Sequence, residues 1–252
     1  MDALTEFAQF PVAWLPPLLV APFIGSFAGV LIQRLPADRP VALARSQCDH
    51  CGHTLGPLDL IPLLSYATLR GRCRHCGAAI GLFPPAVELA AIAVAAWAVL
   101  TVPTPAVWLS CLLGWTLLTA SWIDARTMLL PDVLTLPLLL AGLGATAWLD
   151  PDSLPDHALA AALGYGVLFA IARGYRWLRG RDGMGLGDAK LLGALGAWLG
   201  LSDLPTVVLL AACLGLAAAG ILALRGRRIT GVTAIPFGPC LALSGWLVWL
   251  YG

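Results

Sequence analysis

The chain has little charge. Only 12% of its 252 residues are Asp, Glu, Lys or Arg, where a soluble domain carries about 25%. That shortage excludes an ordinary soluble fold. The matching excess is apolar: 59% of residues are hydrophobic and mean hydropathy is +0.84. The N-terminus, Met1-Asp2-Ala3-Leu4-Thr5-Glu6, lacks a basic stretch, so the first apolar segment is expected to be a retained span rather than a cleaved signal. Internal repeats and low-complexity tracts are not evident. The lipid bilayer is an expected partner and nucleic acid is not.

Apolar runs recur near the twenty residues needed to cross about 30 Å of hydrocarbon. The expected fold class is all-α, a polytopic membrane protein of about eight transmembrane helices. The spans fall at about residues 13–34, 83–102, 106–123, 132–149, 157–177, 188–201, 204–224 and 233–251. Three expected regions follow: a first span at 1–34, a soluble loop at 35–82, and a seven-span membrane domain at 83–252.

Alternate connections have no Lys or Arg at all. Those at about residues 103–105, 150–156 and 202–203 hold Asp150, Asp152, Asp156 and Asp203 instead. The basic residues gather on the others. Arg34, Arg39, Arg45, Arg70, Arg72 and Arg74 lie in the first loop and Arg126 in the third. Arg173, Arg176, Arg179, Arg181 and Lys190 flank the fifth, and Arg225, Arg227 and Arg228 the seventh. Cytoplasmic loops carry the basic residues of membrane proteins. The odd-numbered loops are therefore expected in the cytoplasm and both termini outside.

The first loop contains Cys48-Asp49-His50-Cys51-Gly52 and Cys73-Arg74-His75-Cys76-Gly77. Two CxxC pairs, each followed by Gly and separated by 21 residues, have zinc-ribbon spacing. Four thiolates favour tetrahedral Zn²⁺, and a reducing cytoplasm disfavours stable disulfides. Cys48, Cys51, Cys73 and Cys76 are the expected ligands, with His50, His53 and His75 as possible substitutes. Cys111, Cys213 and Cys240 lie in apolar runs and are expected to be buried small hydrophobes.

Acids near membrane helices carry the chemistry. In Gly183-Met184-Gly185-Leu186-Gly187-Asp188-Ala189-Lys190 a carboxylate stands at the mouth of an apolar run. An acid there is costly unless paired, solvated or used. Asp124 ends another apolar run, where the helix dipole disfavours an anion. Asp132 follows Pro131 at a helix start and has an ordinary role available, capping. Glu88 lies about one turn inside the second span. It is either a carboxylate settled near a helix N-terminus or a polar contact in the active cavity. The charge pattern puts Asp124 and Asp188 on the same side.

Ser–His and metalloprotease motifs are absent near these acids. Two carboxylates at a membrane interface then suggest acid–base hydrolysis of a peptide bond. Asp124 and Asp188 are the expected catalytic pair, with Gly185, Gly187, Lys190 and Glu88 in support. The glycines would let an extended substrate approach the backbone. A transporter would also use intramembrane acids, but inverted repeats are not seen. A thiol oxidoreductase would use CxxC pairs, but would need them on the oxidising side.

In this light the chain resembles the type IV prepilin peptidases, the prepilin leader peptidase/N-methyltransferase family. The blocks that carry the resemblance run in order. They are Gly25-Ser26-Phe27 through Arg34-Leu35-Pro36, the segment from Cys48 to Cys76, and Val87-Glu88-Leu89. Ile123-Asp124 with Leu130-Pro131-Asp132 follows, then Gly183 to Leu191. One stretch departs: Gly81-Leu82-Phe83-Pro84 stands where members often have Arg-Tyr before the proline. The resemblance implies an aspartic peptidase of the bacterial inner membrane, with Asp124 and Asp188 as its pair. Its substrates would be prepilins or type II secretion pseudopilins, cut after a short basic leader at the cytoplasmic face. It also implies N-methylation with S-adenosylmethionine. That activity rests on the resemblance alone, and no residue is assigned to the methyl donor.

Overall fold

A computed structural model describes residues 14–41, 45–180, 185–226 and 235–252. The N-terminal 1–13, the glycine motif's Gly183 and Met184, and Arg181, Asp182, Arg227 and Arg228 lie outside the described residues. Among those described there is no strand, only isolated bridges at Gln47–Thr54 and Arg72–Ala79. Among the described residues, eight helices of fourteen residues or more stand where the apolar runs do. They are α1 (Leu15–Arg34), α2 (Phe83–Thr101), α3 (Val107–Thr127), α4 (Asp132–Leu149), α5 (Leu154–Arg179), α6 (Leu186–Leu199), α7 (Leu204–Leu224) and α8 (Gly238–Tyr251).

Six of the eight, α1 to α5 and α7, are long and apolar enough to cross a membrane. The other two, α6 and α8, have 14 residues each, about 21 Å of helix at 1.5 Å per residue. The protein is thus a multi-pass helical membrane protein, in which α6 is as short as its expected span at about 188–201 and α8 is shorter than its expected span at about 233–251.

The chain forms two compact units, Met1–Trp115 and Thr116–Gly252. In the first, α1 and α2 pack through small side chains. Ala21, Gly25, Ala28 and Gly29 are buried on one helix, and Ala91, Ala95 and Ala98 on the other. Small residues let membrane helices approach where apolar burial offers no driving force. The Trp115 indole donates to the Ala91 carbonyl at 2.9 Å and so satisfies its one polar atom.

The second unit is built around α6. From Leu191 to Leu199 every residue of α6 is buried, as expected of a helix apolar all round. Its glycines reflect close contact with α5, since a Cβ on Gly196 would lie 2.5 Å from the Ala160 carbonyl oxygen. On the α4 side, the Trp198 indole donates to the Leu138 carbonyl at 2.8 Å. The same ring also sits edge-on to Trp249 of α8, at 5.4 Å between centroids. Protein rather than lipid surrounds α6, which explains why a short, Gly-rich helix suffices there. In α7 only Leu204, Val207 and Ala211 are buried. Cys213 on this helix is exposed, which corrects its expected burial: it is on a face that protein does not cover. Cys111 and Cys240 are buried as expected.

Candidate active site

Asp124 lies in the last turn of α3, which is closed by two local bonds. The Met128 N–H donates to the Asp124 carbonyl at 2.8 Å, and the Thr127 hydroxyl to the Ile123 carbonyl at 2.9 Å. Met128 takes φ of 54°, a left-handed helix stop that usually falls to Gly or Asn. The reversal leads into Leu130-Pro131 and the start of α4. There Leu130 meets Gly187, on which a Cβ would lie 2.7 Å from the Leu130 Cβ.

That contact sets Asp188 in the first turn of α6, three residues after its N-cap Gly185. Asp124 is 5% exposed and Asp188 8%. The two carboxylates lie within electrostatic reach of each other, and Cys240 lies within reach of both. Residues 64 positions apart in sequence thus converge on one buried place. Gly185 and Gly187 both border it, Gly185 with a Cβ direction 3.8 Å from the Asp188 Oδ2.

Sequence reasoning missed Gly238. The Gly238 N–H, at the first position of α8, donates to the Asp124 Oδ2 at 2.9 Å. A Cβ there would lie 2.7 Å from that oxygen, so only glycine brings the helix end this close. A signal was present: Pro236-Phe237-Gly238-Pro239 marks a helix start by proline. The sequence shows the last span, at about 233–251, as interrupted by two prolines, a break tolerated where it lines a cavity or packs on protein, but assigns the glycine between them no task.

Lys190 and Asp132 also meet, ammonium to carboxylate. The capping role expected of Asp132 is corrected: it is the first residue of α4 and its start carries no side-chain cap bond. A lysine one turn into α6 draws the carboxylate instead. The pair ties the start of α4 to the start of α6.

The cysteine loop belongs to the first unit and is built twice over. Cys48 N–H donates to the His53 carbonyl, and Gly52 N–H to the Cys48 carbonyl, both at 2.9 Å. Cys73 N–H donates to Ala78 at 2.8 Å, and Gly77 N–H to Cys73 at 2.9 Å. Gly52 and Gly77 take φ of 68° and 71°, which glycine adopts freely. The Cys51 and His50 backbone N–H groups bring the Cys48 thiol down to about 6. All four Sγ atoms lie within 4.8 Å of one another, and Cys48 and Cys76 are 3.9 Å apart. Four sulfurs about 2.3 Å from a tetrahedral ion stand about 3.8 Å apart, so the cluster fits a metal ion. The cysteines are free thiols. His53 and His75 meet as tilted rings at 3.5 Å between centroids and are not in the ligand group. Between the knuckles, the Arg74 Nε donates to the Asp59 Oδ1 at 2.9 Å. The Arg74 guanidinium, with the Gly56 N–H, holds the Asp59 carboxyl below its usual range.

Glu88 is in the first unit and 5% exposed. Its Oε2 accepts the Leu63 N–H at 2.8 Å, and the Ser26 hydroxyl bonds to the same carboxylate. It therefore ties the loop to α1 and α2.

This fold and site define a class: a multi-pass helical membrane protein with a buried pair of aspartates and a four-thiol loop. Comparison with known proteins gives the family. Residues 111–220 match the type IV leader peptidase family, and residues 19–102 the bacterial peptidase A24 N-terminal domain. A Pseudomonas aeruginosa protein named prepilin leader peptidase/N-methyltransferase is 38% identical over 280 residues, covering 100% of this chain and 95% of the relative. Its namesake from Aeromonas hydrophila is 41% identical over 255 residues, covering 91% and 87%. Another from Burkholderia pseudomallei is 46% identical over 219 residues, covering 86% and 71%. No solved structure matches the chain. The chain belongs to the type IV leader peptidase family.

Proposed function

We propose that this protein is a prepilin leader peptidase/N-methyltransferase of the bacterial inner membrane. It removes the short basic leader of type IV prepilins or type II secretion pseudopilins at the cytoplasmic face and methylates the new N-terminus. The observation that carries the reading is the buried convergence of Asp124 and Asp188 from two helices. Asp124 and Asp188 act as one unit that holds a proton between them. The Gly238 N–H occupies one oxygen of Asp124 and leaves Oδ1 to take the proton of the attacking water. Asp188 donates to the scissile carbonyl, and the pair then returns a proton to the leaving amine. Gly185 and Gly187 shape the mouth of the site, and Lys190 braces it through Asp132.

The four cysteines hold zinc in this reading. Cys48, Cys51, Cys73 and Cys76 would all be used in holding the ion, which would supply a structural cross-link to the loop. S-adenosylmethionine supplies the methyl group. The active face is cytoplasmic and the termini are outside, a reading supported by the one-sided distribution of Arg and Lys. The test is incubation with a synthetic prepilin peptide and S-adenosylmethionine, read by mass. Loss of the leader and gain of one methyl are expected. An intact peptide would refute the peptidase, and a cut, unmethylated one would refute the methyltransferase.

A further inference from the structure

The first unit has an open cavity of about 490 Å³ between the ends of α1 and α2 and the cysteine loop. The proposed cleavage chemistry does not use it. Its size falls within the roughly 300–1,000 Å³ of small-molecule and cofactor sites. Glu88 lines it, buried, with only the Leu63 N–H and the Ser26 hydroxyl on its carboxylate. Among the described residues no cation pairs with it. A buried charge without a counter-charge is costly. The rest of the wall is mixed. Tyr66 and Phe83 offer flat faces, Arg34, Arg39 and Arg45 offer cations, and Asp49 and Asp59 add carboxylates nearer the loop.

We infer that this cavity is the methyl-donor site and that Glu88 seats the positive charge of a sulfonium donor of the S-adenosylmethionine class. The inference rests on the methyltransferase reading above. The donor has one part for each part of the wall. It carries an aromatic base for the rings, a carboxylate for the arginines and a cationic centre for Glu88. An anionic phosphate headgroup from the bilayer would satisfy the arginines, but it has no cationic centre to set against the buried carboxylate.

The experiment measures binding of S-adenosylmethionine to the full chain in nanodiscs of neutral lipid, by calorimetry. Glu88→Gln should weaken the donor about tenfold or more, because a charge-assisted contact is lost. Gly29→Leu should abolish binding by filling the space. Gly29 lines the cavity, and a Cβ on it would meet nothing closer than the Phe83 ring at 4.0 Å, so the helix itself has room. Thermal unfolding of each variant shows whether it is folded. Folded variants that bind the donor like the wild type, in an enzyme that methylates, would overturn the site alone. A wild-type protein that cuts leaders but neither binds the donor nor methylates would overturn the methyltransferase reading and the site with it. Where a variant does not fold, donor-dependent hydrogen-exchange protection of the wild type decides. Protection of residues 25–34 and 60–66 supports the cavity, and protection confined to other segments overturns it. Anionic lipid that displaces the donor would likewise overturn the inference in favour of a headgroup site.

Discussion

Asp124→Asn keeps the size of the side chain and can still accept the Gly238 N–H. What it loses is proton traffic. An amide can neither take the water's proton nor return it, and Asp188→Asn fails for the same reason. Each variant should lose at least about 10²-fold in cleavage while inserting and folding normally. Asp132→Asn should retain most activity, because its partner is a partly exposed lysine and such pairs contribute about 1 kcal/mol or less. The measurement is leader loss by mass on matched amounts of folded protein. Normal cleavage by both Asp124→Asn and Asp188→Asn would sink the aspartyl mechanism. A dead Asp132→Asn beside an active Asp124→Asn would move the role to the other acid. That these two acids come together was legible from sequence, because each stands at an apolar run without an ordinary task. Gly238 was not legible in its role, since nothing local says that a helix start 114 residues downstream will meet Asp124.

Between helices, the fit of Leu130 against Gly187 sets how α6 begins. Gly187→Ala puts a Cβ 2.7 Å from the Leu130 Cβ, so α6 must shift, and a shift of about 1 Å can cost 10²-fold in rate. Leu130→Ala should recover part of that loss in the double variant by reopening space. Equal losses in the single and double variants would show that the contact does not transmit the shift. The glycines of this motif read from sequence as room for substrate, whereas the face of Gly187 is taken by the protein itself. A sequence displays a missing side chain but not what fills the gap. The cysteine knuckles were more legible, because each is closed by hydrogen bonds only five or fewer residues long. Purified protein should carry about one zinc per chain. Cys48→Ser or Cys73→Ser should lose it and open the loop to protease. Metal analysis showing none in protein that still cleaves would defeat the structural-zinc reading.

The proposed arrangement across the bilayer rests on charge, and the two short helices make it testable. Connections at 103–105, 150–156 and 202–203 hold no Lys or Arg, so the positive-inside bias places them outside. Reporter fusions at residues 60, 127 and 180 should therefore read cytoplasmic, and fusions at 104, 153 and 203 external. Position 203 decides the most. It follows α6, whose 14 residues reach about 21 Å, against about 30 Å of hydrocarbon. If α6 completes a crossing, it does so because its neighbours in the second unit bury it and carry the lipid contact in its place. An external signal at 203 is the expected result, with Asp203 and the start of α7 beyond the far face. A cytoplasmic signal there, with 153 still external, would make α6 a re-entrant helix that enters and leaves by the same face. Asp124 and Asp188 would remain together, but α7 would then run in the opposite direction, and Arg225 at its end would face outward against the charge bias. The bias and the length of α6 thus make opposing demands, and the fusion at 203 shows which of them the protein obeys.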